Sequence, residues 1–238
     1  LGYEDGDGTF DHANISRRGS ADWTLKVKGI PAHSSQIFQP EVGAGAIYET
    51  SRILHEFYKQ LSNEENFTFN PGLISGGNSL TFHEETNKSE AFGKNNIVSA
   101  EVIVTGDMRA VSMEQLIRTR RIMQEIVSNS LPNTSATIEF GDDGYPPMTM
   151  TEGNIQLLGL FSKVSQDLGY GTVHPVNPRN SGAADISFVA EDVFMAMDAI
   201  GLCGTGGHTI EETADISCLP KEAKRTAILL YRLKDIKF

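Results

Sequence analysis

The chain has 238 residues, with 20 lysines and arginines against 31 aspartates and glutamates, so its formal net charge is −11. This acidic balance, without a basic tract, argues against nucleic acid or an anionic membrane as a partner. No apolar run reaches the ~18 residues of a membrane span, and the acidic first residues do not look like a signal peptide. The sequence therefore predicts a soluble protein, while its compartment, cytoplasmic or exported, stays open.

The first elements alternate between strand and helix patterns. Apolar and polar residues alternate over 22–29, which is typical of a half-buried strand. A helix is predicted over Glu41–Leu61, with small residues in its first turns. Two strand-like runs follow at 66–77 and 95–110, and the polar insert 78–94 separates them.

A second helix and a fourth strand come next. Ser112 and Gln115 have the spacing of a capping box, which predicts that the helix begins there. Residues 134–140 have a strand pattern. The apolar positions expected to face a core are Ile47, Leu54, Phe57, Tyr58 and Leu61 in the first helix, and Leu116, Ile117, Met123, Ile126, Val127 and Leu131 in the second.

These elements predict an α/β protein whose residues 21–141 form one domain. The order strand, helix, strand, strand, helix, strand is that of a split βαβ (ferredoxin-like) unit, with four antiparallel strands and both helices on one face. A proline- and glycine-containing segment then leads into residues 142–238, which follow a different pattern.

The last part of the chain alternates helices with apolar segments. We expect a helix over Glu152–Leu168, a buried strand over 193–201 and a final helix from Pro220, which together indicate a mostly parallel sheet. One or two strands cannot build such a sheet, and residues 1–20 resemble the end of another strand. We therefore expect the N-terminal half of this domain to lie upstream of the chain.

The two cysteines give little information. Cys203 and Cys218 are too few for a disulfide framework, and they have neither C-x-x-C spacing nor a zinc-like cluster with histidine. The sequence therefore leaves the redox compartment undetermined.

Several separated motifs occur in a familiar order: RRGSADWTLKVKGIPAHSS, NNIVSAEVIVTGDMRA, PRNSGAAD and GGHTIEETADI. Together they resemble the zinc exopeptidase family of glutamate carboxypeptidase, acetylornithine deacetylase and succinyl-diaminopimelate desuccinylase. The resemblance implies that residues 21–141 are a lid and dimerisation domain, inserted into an incomplete α/β zinc-peptidase catalytic domain. Residues 1–20 and 142–238 would be parts of that catalytic domain.

The resemblance also implies two zinc ions in the full-length protein. His208 matches the last metal ligand of the family, and Glu4 matches a carboxylate ligand, for which Asp5 is the alternative. From the residues alone, His208 could equally be a polar surface histidine and Glu4 a solvated strand end. The remaining ligands and the catalytic glutamate would lie upstream, so we expect this chain alone to bind no zinc tightly.

Two residues of the predicted lid carry implied roles in the active site, one catalytic and one in substrate binding. His33 matches a histidine that reaches into the active site of the partner subunit and donates a hydrogen bond to the oxyanion. Arg109 matches an arginine that binds the substrate's free carboxylate, which suits a planar guanidinium. The alternative for Arg109 is a structural ion pair with Asp107.

Two further positions are implied to bind substrate. Asn96 matches a family asparagine, although a plain loop position explains it as well. Gly182 lies in a turn whose tight backbone path could present amides to a carboxylate. At the end of that turn, Asp185 is as readily explained as the cap of a following helix.

The implied activity is metal-dependent hydrolysis of an amide or peptide bond next to a free carboxylate. The enzyme would be a carboxypeptidase or an N-acyl amino acid deacylase, acting as a homodimer on a small peptide or N-acyl amino acid. The alternative is a non-catalytic dimerisation and lid module or an inactive remnant. The sequence does not identify the substrate, because one fold serves many reactions.

Overall fold

A computed structural model describes residues 1–4, 8–141, 144–207 and 209–236. The helices are α1 (Gly45–Leu61), α2 (Met113–Ser128), α3 (Glu152–Asp167) and α4 (Leu219–Leu233). The strands are β1 (His12–Ala13), β2 (Ala21–Lys28), β3 (Thr68–Gly77), β4 (Ser79–His83), β5 (Lys88–Phe92), β6 (Glu101–Arg109), β7 (Ser135–Phe140), β8 (His174–Pro175), β9 (Cys203–Thr205) and β10 (Thr213–Asp215).

The chain divides into two compact units. The first, here called the terminal unit, comprises residues 1–19, 110–113 and 145–238. The second, here called the sheet unit, comprises residues 20–109 and 114–144.

The sheet unit contains a four-stranded sheet in the order β3-β6-β2-β7, and every neighbouring pair is antiparallel. The antiparallel four-stranded sheet predicted from the sequence is therefore confirmed. In β2, Trp23 and Leu25 are buried, whereas Asp22 lies on the exposed face, as a period of two requires. Trp23 packs edge to face against Phe57 of α1, which anchors that helix to the sheet.

The helices bury faces slightly different from those predicted. In α1 the apolar stripe includes Ala46, Ile53 and Phe57, whereas Tyr58 is 66% exposed. In α2, Ile117 is 62% exposed. One residue corresponds to about 100° around a helix, so a neighbour of a buried position can face solvent. The expected inward positions of Tyr58 and Ile117, and likewise of Ile47, were wrong.

The polar insert forms structure of its own, the antiparallel hairpin β4–β5. Asn87, in the turn after β4, accepts a hydrogen bond from the Thr105 hydroxyl at 3.1 Å. Glu84 lies 3.9 Å from the Lys26 ammonium. Because Thr105 and Lys26 project from the exposed face of the sheet, the hairpin lies over part of that face.

The terminal unit has helices around a compact core but very short strands. Helix α4 begins with Pro220 in its first turn, close to the predicted start. The parallel sheet expected here is limited, in the described part of the chain, to the two-residue pair β1–β8. The core consists of Ala13, Ile15, Leu157, Leu158, Phe161, Val164, Val173, Met197, Ile200 and Leu229.

The apolar strand predicted over 193–201 was wrong. This segment contributes buried side chains, but its described backbone makes one antiparallel bridge, between Asn14 and Asp198. A side chain holds the segment in addition: the fully buried Asp198 carboxylate accepts from Arg17 Nε at 2.9 Å. An apolar run alone could not reveal that its one charged residue is the anchoring point.

The two cysteines form a disulfide, a pairing that their spacing did not predict. Cys203, at the start of β9, is joined to Cys218, just before α4, with a Cα–Cα distance of 6.0 Å. Both residues are buried. Among the described residues, no helix has the length and apolar character of a membrane span.

Candidate functional site

In the sheet unit, the first candidate residue lies between β2 and α1. His33 is exposed and occupies the N-cap position of a short 3₁₀ turn, Ser34–Gln36. Its Nδ1 accepts a hydrogen bond from the backbone N–H of Ser35 at 3.3 Å, and the Ser35 hydroxyl lies 2.8 Å from the same nitrogen. The imidazole is thus tied to the backbone at one nitrogen.

The structure brings Asn96 next to His33, although they are far apart in the sequence. The backbone N–H of Ser34 donates to the carbonyl of Asn96 at 2.9 Å, and His33 pairs with Ile97 in an isolated bridge. The predicted lid histidine and the predicted substrate asparagine therefore occupy one loop cluster, immediately before β6.

Arg109 lies at the other end of β6. Its Nε donates to the Asp107 carboxylate at 3.0 Å, so the ion pair considered as an alternative is present. Both side chains are about one-third exposed, and such pairs contribute little to stability. Asp22 lies directly opposite Asp107 across the strands, and both line a groove of ~750 Å³ on the exposed face of the sheet.

These two groups of residues are widely separated. Strand β6 has nine residues, and at about 3.3 Å per residue it extends ~26 Å from Glu101 to Arg109. His33 and Asn96 lie beyond the Glu101 end of that strand. In one copy of the sheet unit, a small molecule cannot contact both groups.

In the terminal unit, Glu4 contacts the predicted substrate turn. Its Oε1 accepts from the backbone N–H of Asp185 at 3.0 Å, and its own N–H donates to Asp198 Oδ1 at 3.4 Å. Describing Glu4 as a solvated strand end is therefore incomplete, because its carboxylate accepts a defined hydrogen bond. Asp5, the alternative ligand, lies outside the described residues.

Asp185 does not cap a helix. The cap position belongs to Ala184, and Asp185 is the first residue of the 3₁₀ turn Asp185–Phe188. Its carboxylate instead accepts from the Tyr145 hydroxyl at 3.1 Å, and this hydrogen bond, with the nearby negative charge, raises the pKa of Tyr145. Sequence reasoning missed Tyr145, which lies in a loop 40 residues away.

The backbone at Gly182 does not itself require glycine. A side chain added there would meet open space, and its φ lies outside the left-handed range, so no tight path requires glycine. Its carbonyl instead accepts from Arg17 Nη1 at 3.4 Å. Because Arg17 also pairs with Asp198, one buried guanidinium links the turn to the segment that contacts Glu4.

His208, the predicted metal ligand, lies outside the described residues. The flanking strands β9 and β10 pair antiparallel, with Thr205 opposite Thr213. Gly206 has a φ of 73°, a conformation that favours glycine and accounts for part of the glycine-rich motif. The described residues contain no group of three or more histidine, cysteine or acidic side chains placed to hold a metal. By themselves they do not fit a zinc centre.

Comparisons with known proteins agree with this architecture. A family model described as the peptidase dimerisation domain of the M20 family matches residues 15–135. Among curated protein sequences, none matches the chain.

Solved structures resemble the chain over nearly all of its length. The aminopeptidase PepT from Bacillus cereus is 17% identical, with a TM-score of 0.66 over 95% of this chain and 54% of its own. A tripeptidase from Staphylococcus aureus is 18% identical, with a TM-score of 0.65 over 95% and 54%.

The YXEP protein of Bacillus subtilis, a dinuclear metal binding peptidase of the M20 family, is 17% identical, with a TM-score of 0.59 over 99% and 53%. At these identities the likeness shows the fold alone, and the chain spans about half the length of each of these proteins. The family model, however, covers more than half of the 238 residues. This chain therefore belongs to the M20 family of peptidases and amidohydrolases and contains its dimerisation domain.

Proposed function

We propose that the full-length protein is a homodimeric hydrolase that cleaves an amide or peptide bond next to a free carboxylate. Family membership supports the reaction class. Two of the similar structures, an aminopeptidase and a tripeptidase, make a short peptide the first substrate to test, with an N-acyl amino acid as the alternative. Residues 21–141 would act as lid and dimerisation domain, and residues 1–20 and 142–238 would form part of the catalytic domain.

The terminal unit has the features of a partial domain. Its described strands have only two or three residues, and strands that short cannot provide the central sheet of an α/β domain. It also exposes large apolar side chains, a pattern that typically marks a contact surface. These are Phe188, Val189, Val193, Phe194, Ile210 and Ile216. We infer that upstream sequence supplies the remaining sheet and covers part of this surface.

The distance between the candidate residues at the two ends of β6 is the observation that supports an active site shared by two subunits. His33 and Asn96 lie ~26 Å or more from Arg109. An extended tripeptide spans only about 11 Å. If all three residues serve the reaction, they must serve it in different copies of the site. A two-fold dimer provides this arrangement, because His33 and Asn96 of one subunit can meet a substrate held by Arg109 of the other.

Each residue then has a defined task. The His33 imidazole would donate a hydrogen bond to the oxyanion of the tetrahedral intermediate. Arg109 would bind the substrate carboxylate with its two Nη groups, since only its Nε is engaged by Asp107 in the described structure. Asn96 and the backbone around Gly182 would complete substrate binding.

The proposal includes two zinc ions in the full-length protein. When bound, they would supply an activated water and a polarised substrate carbonyl. This chain would contribute His208 and Glu4, whose Oε1 already accepts from a backbone amide. Two ligands fall short of a zinc site, so the 238-residue chain alone should release zinc during dialysis against a chelator. Metal analysis of the dialysed protein measures this directly.

The test of the function uses the chain extended by the sequence encoded upstream of Leu1. The zinc-loaded protein should hydrolyse dipeptides and tripeptides faster than N-acetyl amino acids, and chelation should abolish both activities. Arg109→Lys should raise KM strongly, because a point charge cannot reproduce the guanidinium fork. The same substitution should change the melting temperature only slightly. A folded, zinc-loaded dimer that cleaves neither substrate class would exclude the proposed function.

A further inference from the structure

The hydrogen bonds around His33 determine where its proton lies. Its Nδ1 faces two groups of Ser35: the backbone N–H at 3.3 Å and the side-chain hydroxyl at 2.8 Å. A backbone N–H can only donate, so Nδ1 must be the acceptor and carries no proton. In the neutral imidazole the proton is then on Nε2.

A second histidine shows the opposite arrangement. The Nδ1 of His12 lies 3.2 Å from the carboxylate of Asp11 and 2.8 Å from the hydroxyl of Thr9. An ionised carboxylate can only accept, so the Nδ1 of His12 carries a proton. One chain thus contains two histidines, His33 exposed and His12 half-buried, whose neighbours select opposite forms.

We propose that Ser35 is a positioning residue for His33, which sets its Nε2–H tautomer and fixes the orientation of the ring. This inference rests on the proposed role of His33 as an oxyanion donor. A donor must present N–H to the developing charge, whereas the other tautomer would present a lone pair. In the described structure Nδ1 is the nitrogen of His33 that makes hydrogen bonds, so Nε2–H stays available to a substrate.

The adjacent serine offers a matched control. Ser34 donates its backbone N–H to the Asn96 carbonyl, and its side chain makes no hydrogen bond to the imidazole in the described structure. Ser34→Ala removes the same hydroxyl group one residue away without touching Nδ1. Ser35→Thr keeps a hydroxyl on the same carbon, while Ser35→Ala removes it and leaves the longer backbone contact.

The tautomer can be measured on the 238-residue chain itself. With ¹⁵N-labelled histidine at about pH 8, where histidine is neutral, long-range ¹H–¹⁵N spectra distinguish the two forms. His33→Gln assigns the signal. We expect one Nε2–H form in the wild type, in Ser34→Ala and in Ser35→Thr. In Ser35→Ala we expect a mixture with Nδ1–H, because the backbone contact that remains is long, at 3.3 Å, and weak by itself. A wild-type Nδ1–H form would overturn the tautomer assignment. A Ser35→Ala spectrum identical to wild type would show that the backbone N–H sets the tautomer alone, and the proposed role of the Ser35 side chain would fail.

The catalytic consequence is measured separately in the zinc-loaded, full-length dimer with a tripeptide substrate. Ser35→Ala should lower kcat by about ten- to a hundredfold, as loss of an orienting partner does, with KM unchanged. Ser35→Thr should restore kcat. If the tautomer changes but kcat does not, His33 is not the oxyanion donor, and the positioning role fails together with the proposed role of His33. If the spectra do not change, only the tautomer inference fails.

Discussion

Each of the two units is stabilised internally by a different kind of contact. In the sheet unit, β2, β3, β6 and β7 have six to ten residues each and pair in one antiparallel sheet over an apolar core. In the terminal unit, the described strands have two or three residues, and contacts between distant side chains connect the segments. Arg17 and Asp198, for example, are 181 residues apart.

Because of this difference, the candidate site residues of the two units are positioned by different kinds of contact. In the sheet unit, His33 is positioned by a residue two places away. In the terminal unit, Glu4 and Gly182 are positioned through a buried ion pair that connects three remote segments. The terminal unit should therefore be the more sensitive of the two to loss of single polar contacts.

The largest expected effect on stability comes from Asp198→Ala. It leaves the Arg17 guanidinium buried without its carboxylate, which should cost about 3–5 kcal/mol in the free energy of unfolding. The exposed Asp192→Ala in the same unit should change it by less than about 0.5 kcal/mol. Denaturant titrations compare the two variants. Equal stability of both would contradict the dependence of the terminal unit on this pair.

The disulfide should rank second. Cys203 and Cys218 are separated by 15 residues, and a loop of that size corresponds to a stabilisation of about 3 kcal/mol. The double variant Cys203→Ser/Cys218→Ser should therefore melt at a lower temperature than the oxidised wild type. A reductant should lower the wild-type melting temperature and leave the double variant unchanged. A reductant effect of equal size on both proteins would argue against this contribution.

The smallest effect is expected in the sheet unit, at the ion pair between Glu64 and Arg118. The hydrogen bond from Arg118 lowers the pKa of Glu64 below its usual range. The pair is partly exposed, so Glu64→Gln should destabilise by under about 1 kcal/mol at pH 7.

The pH dependence gives the sign of this contribution. A carboxylate with a lowered folded-state pKa adds stability above its unfolded pKa of about 4.3 and loses it as pH falls through the folded value. The difference between Glu64→Gln and wild type should vanish in acid. Urea titrations at several pH values measure it, and a difference that grew below pH 4 would contradict this assignment.

The sequence predicted the sheet unit well because its signals are local. The alternation over 22–29 and the capping-box spacing from Ser112 give elements close to the observed β2 and α2. Charge pairing across the chain is not local, and nothing near Asp198 indicates that Arg17 is its partner. The same limit explains why the contact between Tyr145 and Asp185 was missed.

The central claim is that His33 acts in the active site of the other subunit, and a mixed dimer tests it most directly. One subunit carries His33→Ala and the other carries His208→Ala, so each homodimer should be almost inactive. In the mixed dimer, the subunit that retains His208 receives His33 from its partner, and one of two sites is complete. Purified mixed dimers should therefore regain about half of the wild-type activity. Mixed dimers that stay inactive, although folded and loaded with zinc, would contradict the shared site.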